Sequence, residues 1–266
     1  MSTDFKGTAL VTGASSGIGE VYAERLADRG YDLILAARRV DRLEALAQKI
    51  TARTGRKVEV LRADLSDRKD IAAVERRLAD DASITLLVNN AGISLEGSIL
   101  ENGSENIERI VTVNVLAPTL LAAAAAQAFV ARDKGGIINI ASVLAFAPEM
   151  MDGIYSGTKA HLVGITQGLA AKLQGTQVRV QAVLPGATRS EIWEKSGKDV
   201  DAMMPGMVMD TADLVDAALV GFDRGEVITI PPLQDEAQYK AFEAARMAMA
   251  PNLSRKEVAP RYRQHA

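Results

Sequence analysis

Tyr155 and Lys159 stand four residues apart, which puts a phenol and an ammonium one above the other on a helix face. Thirteen positions upstream of the tyrosine, Ser142 closes the apolar run Ile137-Ile138-Asn139-Ile140-Ala141. A hydroxyl, a phenol and an ammonium can together handle the proton that moves when a carbonyl becomes an alcohol. A free phenol titrates near pH ~10, too high for a base at neutral pH. A nearby ammonium stabilises the phenolate and lowers that value. A tyrosine and a lysine at this spacing are also common on helix surfaces, so the pair needs support from elsewhere in the chain.

That support comes from Thr12-Gly13-Ala14-Ser15-Ser16-Gly17-Ile18-Gly19. The segment follows an apolar run and opens a helical pattern, where a dinucleotide pyrophosphate sits. Gly13 allows a tight turn, Gly17 lets backbone approach phosphate, and Gly19 lets helix and strand pack closely. Ser15, Ser16 and Ile18 belong to the same loop. The spacing is G-x-x-x-G-x-G, not the general G-x-G-x-x-G.

The end of the second apolar run reports on the nucleotide. An acid there would accept from a ribose 2′-OH, but Ala37 holds that position and Arg38 and Arg39 follow. A guanidinium holds a 2′-phosphate by two charge-assisted bonds. The expected cofactor is therefore NADP(H), with Arg38 the favoured contact. The alternative is that both arginines are solvated turn residues. Asp64-Leu65 ends the third run, where the acid either accepts from an adenine amino group or caps the next helix. Asn89-Asn90-Ala91-Gly92 ends the fourth, at the edge where open α/β sheets bind ligands. Asn90, Ala91 and Gly92 are cofactor candidates, and the amides equally serve to knit strands. Asn114 lies in an apolar helical segment, where a buried amide needs partners. On the residues alone it is as readily a packing or helix-bending residue as a functional one.

These positions need a scaffold. Short apolar runs alternate with helical patterns, which predicts a doubly wound α/β fold around a parallel sheet of about seven strands. The expected strands are Thr8–Val11, Asp32–Ala36, Lys57–Arg62, Leu86–Asn89, Gly136–Ile140, Gln177–Val183 and Glu226–Ile230. The expected helices are Gly17–Arg29, Asp41–Thr54, Asp67–Asp80, Ser104–Asp133, Tyr155–Gln174 and Thr211–Arg224. Asp67 and Thr211 read as N-caps, and Gly30 and Gly55 as C-terminal stops. Residues 1–230 read as one dinucleotide-binding and catalytic domain, and 231–266 as an extension packed on it. Thr188 to Asp210, with Trp193 and Met203, Met204, Met207 and Met209, reads as a lid.

Composition limits the chemistry. With 266 residues, 48% hydrophobic and 24% charged, the chain suits a globular domain. A net charge of -3 argues against nucleic acid or an anionic membrane as partner. The absence of cysteine excludes disulfides, thiolate catalysis and cysteine-ligated metal. The histidines are His161 and His265, too few for a His-based metal site. His161 is expected in a packing or surface role, and His265 in an exposed tail. The apolar stretch Val111 to Val130 contains Asn114, Pro118, Thr119 and Gln127, so it reads as a buried or interface helix rather than a membrane span. The first apolar run is too short for a signal peptide, and a cytoplasmic location is expected. Ala122 to Ala126 allows close helix packing, within the chain or between subunits. Ala145, Phe146, Met150 and Met151 lie between Ser142 and Tyr155. They suggest an apolar, adaptable pocket wall, with ordinary core as the alternative. No arginine is obviously placed to hold a substrate carboxylate, and Arg189 is near enough to leave that alternative open.

Taken in order, Thr12 to Gly19, Asn89 to Gly92, Asn114, Ser142, Tyr155, Lys159 and Pro185-Gly186 resemble the short-chain dehydrogenase/reductase family over about residues 6 to 190. The resemblance implies a Rossmann fold and an NADP(H)-dependent oxidoreductase interconverting a ketone or aldehyde and an alcohol. It implies Tyr155 as general acid or base and Ser142 as holder of the substrate oxygen. Lys159 would bind the nicotinamide ribose and lower the Tyr155 pKa. Asn114 would anchor a water in a proton relay to Lys159, and Pro185, Gly186 and Thr188 would line the nicotinamide side. It also implies a homodimer or homotetramer packed through the helices at about 104–133 and 155–174. Ser16 stands where some NADP-dependent relatives carry a basic residue. The chain also lacks the terminal Gly-Gly turn of the bacterial carrier-protein reductases. Reduction of a 3-oxoacyl thioester, or non-catalytic redox sensing through NADP(H), are the competing readings.

Overall fold

The computed structural model describes residues 7–97, 99–150, 153–189, 202 and 204–263. Trp193, Met203, Met151 and His265, each singled out above, lie outside the described residues, as does most of the expected lid. Two compact units divide the chain, Met1–Pro232 and Leu233–Ala266.

In the first unit the strands are β1 (Thr8–Thr12), β2 (Asp32–Ala37), β3 (Val58–Arg62), β4 (Ile84–Asn89), β5 (Gly135–Ile140), β6 (Val178–Val183) and β7 (Ile228–Thr229). They form a parallel seven-stranded sheet in the order β3-β2-β1-β4-β5-β6-β7. The order reverses between β1 and β4, and this is the switch point where doubly wound sheets bind ligands. The helices are α1 (Gly17–Asp28), α2 (Val40–Thr54), α3 (Arg68–Asp80), α4 (Ser104–Val111), α5 (Ala117–Ala131), α6 (Gly153–Lys172) and α7 (Thr211–Arg224).

Successive strand residues feed two cores. Val11, Leu35, Val88 and Ile138 pack with Tyr22 and Leu26 of α1, Leu43 of α2 and Leu219 of α7. Leu10, Ile34, Leu87 and Ile137 pack on the other face with Ile71 and Val74 of α3 and Leu121 and Phe129 of α5. Burial on both faces is why the strands read as continuous apolar runs rather than alternating ones. Ala122, Ala125 and Ala126 belong to the second core, so part of the alanine cluster is spent on packing within the chain.

Three sequence expectations need correction. The segment Ser104–Asp133 is helical as far as Ala131 but not regular: a π-turn, Thr112–Leu116, interrupts it between α4 and α5. Pro118 is the physical cause, since it has no N–H to return to the Asn114 carbonyl four residues back. This run is apolar and long enough to cross a membrane, yet half of its most apolar window is buried within the protein. The cap of α7 is Asp210, whose carboxylate accepts from Ala212 N at 2.9 Å, and not Thr211. The Thr211 hydroxyl instead donates to the Arg189 carbonyl. Strand β7 is shorter than expected because it is an edge strand leading into Pro231-Pro232, which cannot donate to a ladder.

The second unit contains α8 (Glu236–Met249), capped by Asp235 on Ala237 N at 2.9 Å. Short 3-10 turns follow at Ala250–Asn252 and Pro260–Tyr262.

Candidate active site

The glycine loop links β1 to α1. Gly13 and Gly17 adopt φ of 66° and 57°, conformations that a side chain would strain. A Cβ on Gly13 would lie 2.8 Å from Asn90 Nδ2, and one on Gly19 would lie 2.4 Å from that atom and 2.5 Å from the Gly13 carbonyl oxygen. The Asn90 amide itself is fixed, donating to the Thr12 carbonyl at 2.9 Å and the Gly13 carbonyl at 3.2 Å. Thr12, which the sequence reading did not assign to the site, orders the opposite wall. Its hydroxyl accepts from Asn90 N at 3.0 Å and Ala91 N at 3.1 Å and donates to the Val88 carbonyl at 3.3 Å. Ser16 occupies the N-cap of α1 but makes no side-chain cap. The start of α1 therefore presents main-chain N–H groups and the positive end of its dipole to a phosphate.

The serines instead receive an arginine. Arg39 donates to Ser16 Oγ at 2.8 Å and to Ser15 Oγ at 3.1 Å. Arg38, the contact favoured from sequence, is exposed. The cation held against the glycine loop is thus Arg39.

Asp64 turns into its own loop: its Oδ1 accepts from Ser66 N at 3.0 Å and Ser66 Oγ at 2.7 Å. Burial opposes its ionisation, but the Ser66 bonds and the charges of Arg38 and Arg109 outweigh it and hold the carboxyl below its ordinary range. The alternative role expected for Asp64, capping the next helix, falls instead to Asp67, which caps α3 through Lys69 N at 2.7 Å. The Leu65 side chain is buried in the second core, which leaves only its main chain for any ligand. Asn89 knits the sheet, donating to Asn139 Oδ1 at 3.0 Å and the Pro118 carbonyl at 3.1 Å.

Ser142, Tyr155 and Lys159 converge at the C-terminal end of β5. Ser142 follows that strand and accepts from Leu144 N at 3.2 Å through its Oγ. Val143 N donates to the Pro185 carbonyl at 2.9 Å, which fixes the Pro185-Gly186 turn beside Ser142. Thr188 donates to the Gly186 carbonyl at 3.0 Å and pairs with Met209 as an isolated bridge. Lys159 is buried, and its ammonium donates to the Ile140 carbonyl at 2.9 Å, 5.6 Å from the Tyr155 ring centre.

The electrostatics differ from the sequence expectation. Burial pushes the Tyr155 phenol up to about 12, opposed by its hydrogen bond with Ser142. Burial pulls Lys159 down to about 8. Within the protein alone, burial outweighs the Ser142 hydrogen bond at Tyr155.

Asn114 sits in the π-turn, fully buried. Its Oδ1 accepts from Ile93 N at 2.9 Å, and its Nδ2 donates to the Ile93 carbonyl at 2.8 Å and to Thr158 Oγ1 at 3.1 Å. Thr158 lies one residue before Lys159. A Cβ on Gly92 would lie 3.3 Å from Lys159 Nζ and 3.5 Å from Asn114 Oδ1. Both polar atoms therefore border the space beside Gly92. His161, expected in packing or at the surface, is half-buried against α5, and its Nε2 lies 2.8 Å from Thr119 Oγ1.

Of the proposed pocket wall, Phe146 and Met150 are 37% and 72% exposed, so they are not core. Met207 is 69% exposed.

Residues 7–201 match the family model of the short chain dehydrogenases. A short-chain dehydrogenase from Sphingobium yanoikuyae, in complex with NADPH, is 49% identical with a TM-score of 0.92, covering 96% of this chain and 100% of its own. A bulky-bulky ketone specific alcohol dehydrogenase from Comamonas testosteroni is 43% identical with a TM-score of 0.88, covering 96% of this chain and 98% of its own. An uncharacterized oxidoreductase from Staphylococcus saprophyticus is 36% identical over 179 residues, 67% of this chain and 76% of that protein. The chain belongs to the short-chain dehydrogenase/reductase family, oxidoreductases that act on alcohol and ketone groups with a nicotinamide cofactor.

Proposed function

We propose that this protein is an NADP(H)-dependent reductase of apolar ketones, with Tyr155 as the proton donor. The convergence of Ser142, Tyr155 and Lys159 at the end of β5 carries the proposal. The nicotinamide cofactor, when bound, supplies or accepts the hydride. The glycine loop, the open start of α1 and Arg39 fit its phosphates, and Arg38 adds a second cation nearby.

Ser142 holds the substrate oxygen, and Tyr155 passes its hydroxyl proton to that oxygen as the alcohol forms. A phenol raised to about 12 keeps its proton at neutral pH, which is the form that reduction requires. The phenolate left behind is stabilised by the Ser142 hydroxyl and by the Lys159 ammonium. Lys159 also binds the nicotinamide ribose and links Tyr155 to a water held at Asn114.

Exposed Phe146, Met150 and Met207 support an apolar, adaptable substrate site. The likeness to the Comamonas enzyme supports a ketone with bulk on both sides of the carbonyl. The test is NADPH consumption, followed by absorbance, with diaryl ketones, small keto acids and 3-oxoacyl thioesters as substrates. Turnover confined to small, charged keto acids would sink the apolar assignment.

A further inference from the structure

His161 is a half-buried titratable group near the site that the mechanism leaves unused. It lies on α6, two residues past Lys159 and three past Thr158. Burial holds its imidazole below the ordinary histidine range, so the ring is neutral at neutral pH. Its partner, Thr119 Oγ1, spends its only proton on the Val115 carbonyl at 2.6 Å. The hydroxyl must therefore accept from the ring, which places the imidazole proton on Nε2.

Val115 adjoins Asn114 inside the π-turn Thr112–Leu116. The turn is held to α6 at two points: Thr158 Oγ1 takes the Asn114 amide, and His161 takes Thr119, which takes Val115. A π-turn lacks the regular i→i−4 ladder, and Pro118 removes the N–H that would reach the Asn114 carbonyl. The turn keeps main-chain i→i−5 bonding, with Ala117 N donating to the Thr112 carbonyl, and the side-chain bonds from α6 add to that support. We infer that His161 is a positioning residue, acting through Thr119 to fix the π-turn that carries Asn114 beside Lys159.

The inference rests on the role proposed above for Asn114, so the experiment includes a readout independent of turnover. Hydrogen exchange of the Thr112–Leu116 segment is measured in the wild type, His161→Ala, His161→Gln and Thr119→Val. Ketone reduction is measured in the same proteins, in Asn114→Ala and in the His161→Ala/Asn114→Ala double variant. Exchange in the π-turn is expected to accelerate in His161→Ala and Thr119→Val. Because small misplacements of a catalytic group cost large factors, kcat should fall roughly tenfold or more, with KM and NADPH affinity little changed. His161→Gln keeps a donor and should recover both readouts. The double variant should be no slower than Asn114→Ala alone, since residues acting as one unit are non-additive. Unchanged exchange in His161→Ala overturns the inference. So does an additive loss in the double variant. Accelerated exchange in a protein whose wild type reduces no ketone would leave the support of the π-turn by His161 standing and overturn the proposed function instead.

Discussion

Lys159 donates from its buried ammonium to the carbonyl of Ile140 at 2.9 Å, so the last residue of β5 anchors a charge on α6. The two elements that carry Ser142 and Tyr155 are thereby tied at the point of chemistry. The same burial that orders Lys159 also disfavours its charge.

That burial has a consequence for stability. Lys159 titrates near 8 when folded, against 10.5 as a free group. The unfolded chain therefore binds more protons between those values, and stability should rise with pH across that window. Tyr155 works in the opposite sense: its folded value of about 12 lies above 10.0, so stability should fall from pH 10 toward 12. Urea unfolding of the ligand-free protein at roughly pH 7.5 and pH 9.5, from just below the first window to well inside it and short of the Tyr155 window, measures this. In Lys159→Met the rise should disappear, and its persistence would show that another group carries it.

Arg39 and Arg38 should set nucleotide choice. A charge-assisted bond contributes about 1.5–3 kcal/mol, so replacing either by alanine should raise the KM for NADPH roughly tenfold or more. The KM for NADH should change little. Arg39→Ala should have the larger effect, because Arg39 already rests on Ser15 and Ser16. Initial rates at varied NADPH and NADH decide the matter, and equal losses with both nucleotides would point to loop damage rather than phosphate recognition.

Gly19→Ala places a methyl 2.5 Å from the Gly13 carbonyl oxygen, a backbone atom that cannot rotate away. Overpacking of this kind costs about 1–3 kcal/mol or more. The variant should melt at lower temperature and lose nucleotide affinity. Thermal unfolding with and without NADPH checks it, and an unchanged melting temperature in both conditions would remove the proposed close approach.

Much of this was legible in the chain. Seven apolar runs became seven strands because residues such as Leu10 and Val11 fill opposite cores, which demands continuous hydrophobicity. The positions of Ser142, Tyr155 and Lys159 followed from helix spacing and from the end of a run. The π-turn was not legible as such, although Pro118 four residues after Asn114 was its signal. The choice between Arg38 and Arg39 depends on how the chain leaves β2, which residue type does not report. Thr12, Thr158 and Ile140 were missed because they act through hydroxyls and main chain placed by the fold. His161 was missed for the same reason: its partner Thr119 lies on a different helix.

The most direct measurement compares wild type and Tyr155→Phe in NADPH-driven reduction of a ketone with bulk on both sides, alongside NADPH binding to each. The wild type should turn over with NADPH in preference to NADH. Tyr155→Phe should bind NADPH normally and lose activity by roughly 100-fold or more, the scale of a positioned acid. Turnover retained in Tyr155→Phe would contradict the assignment of Tyr155 as the proton donor.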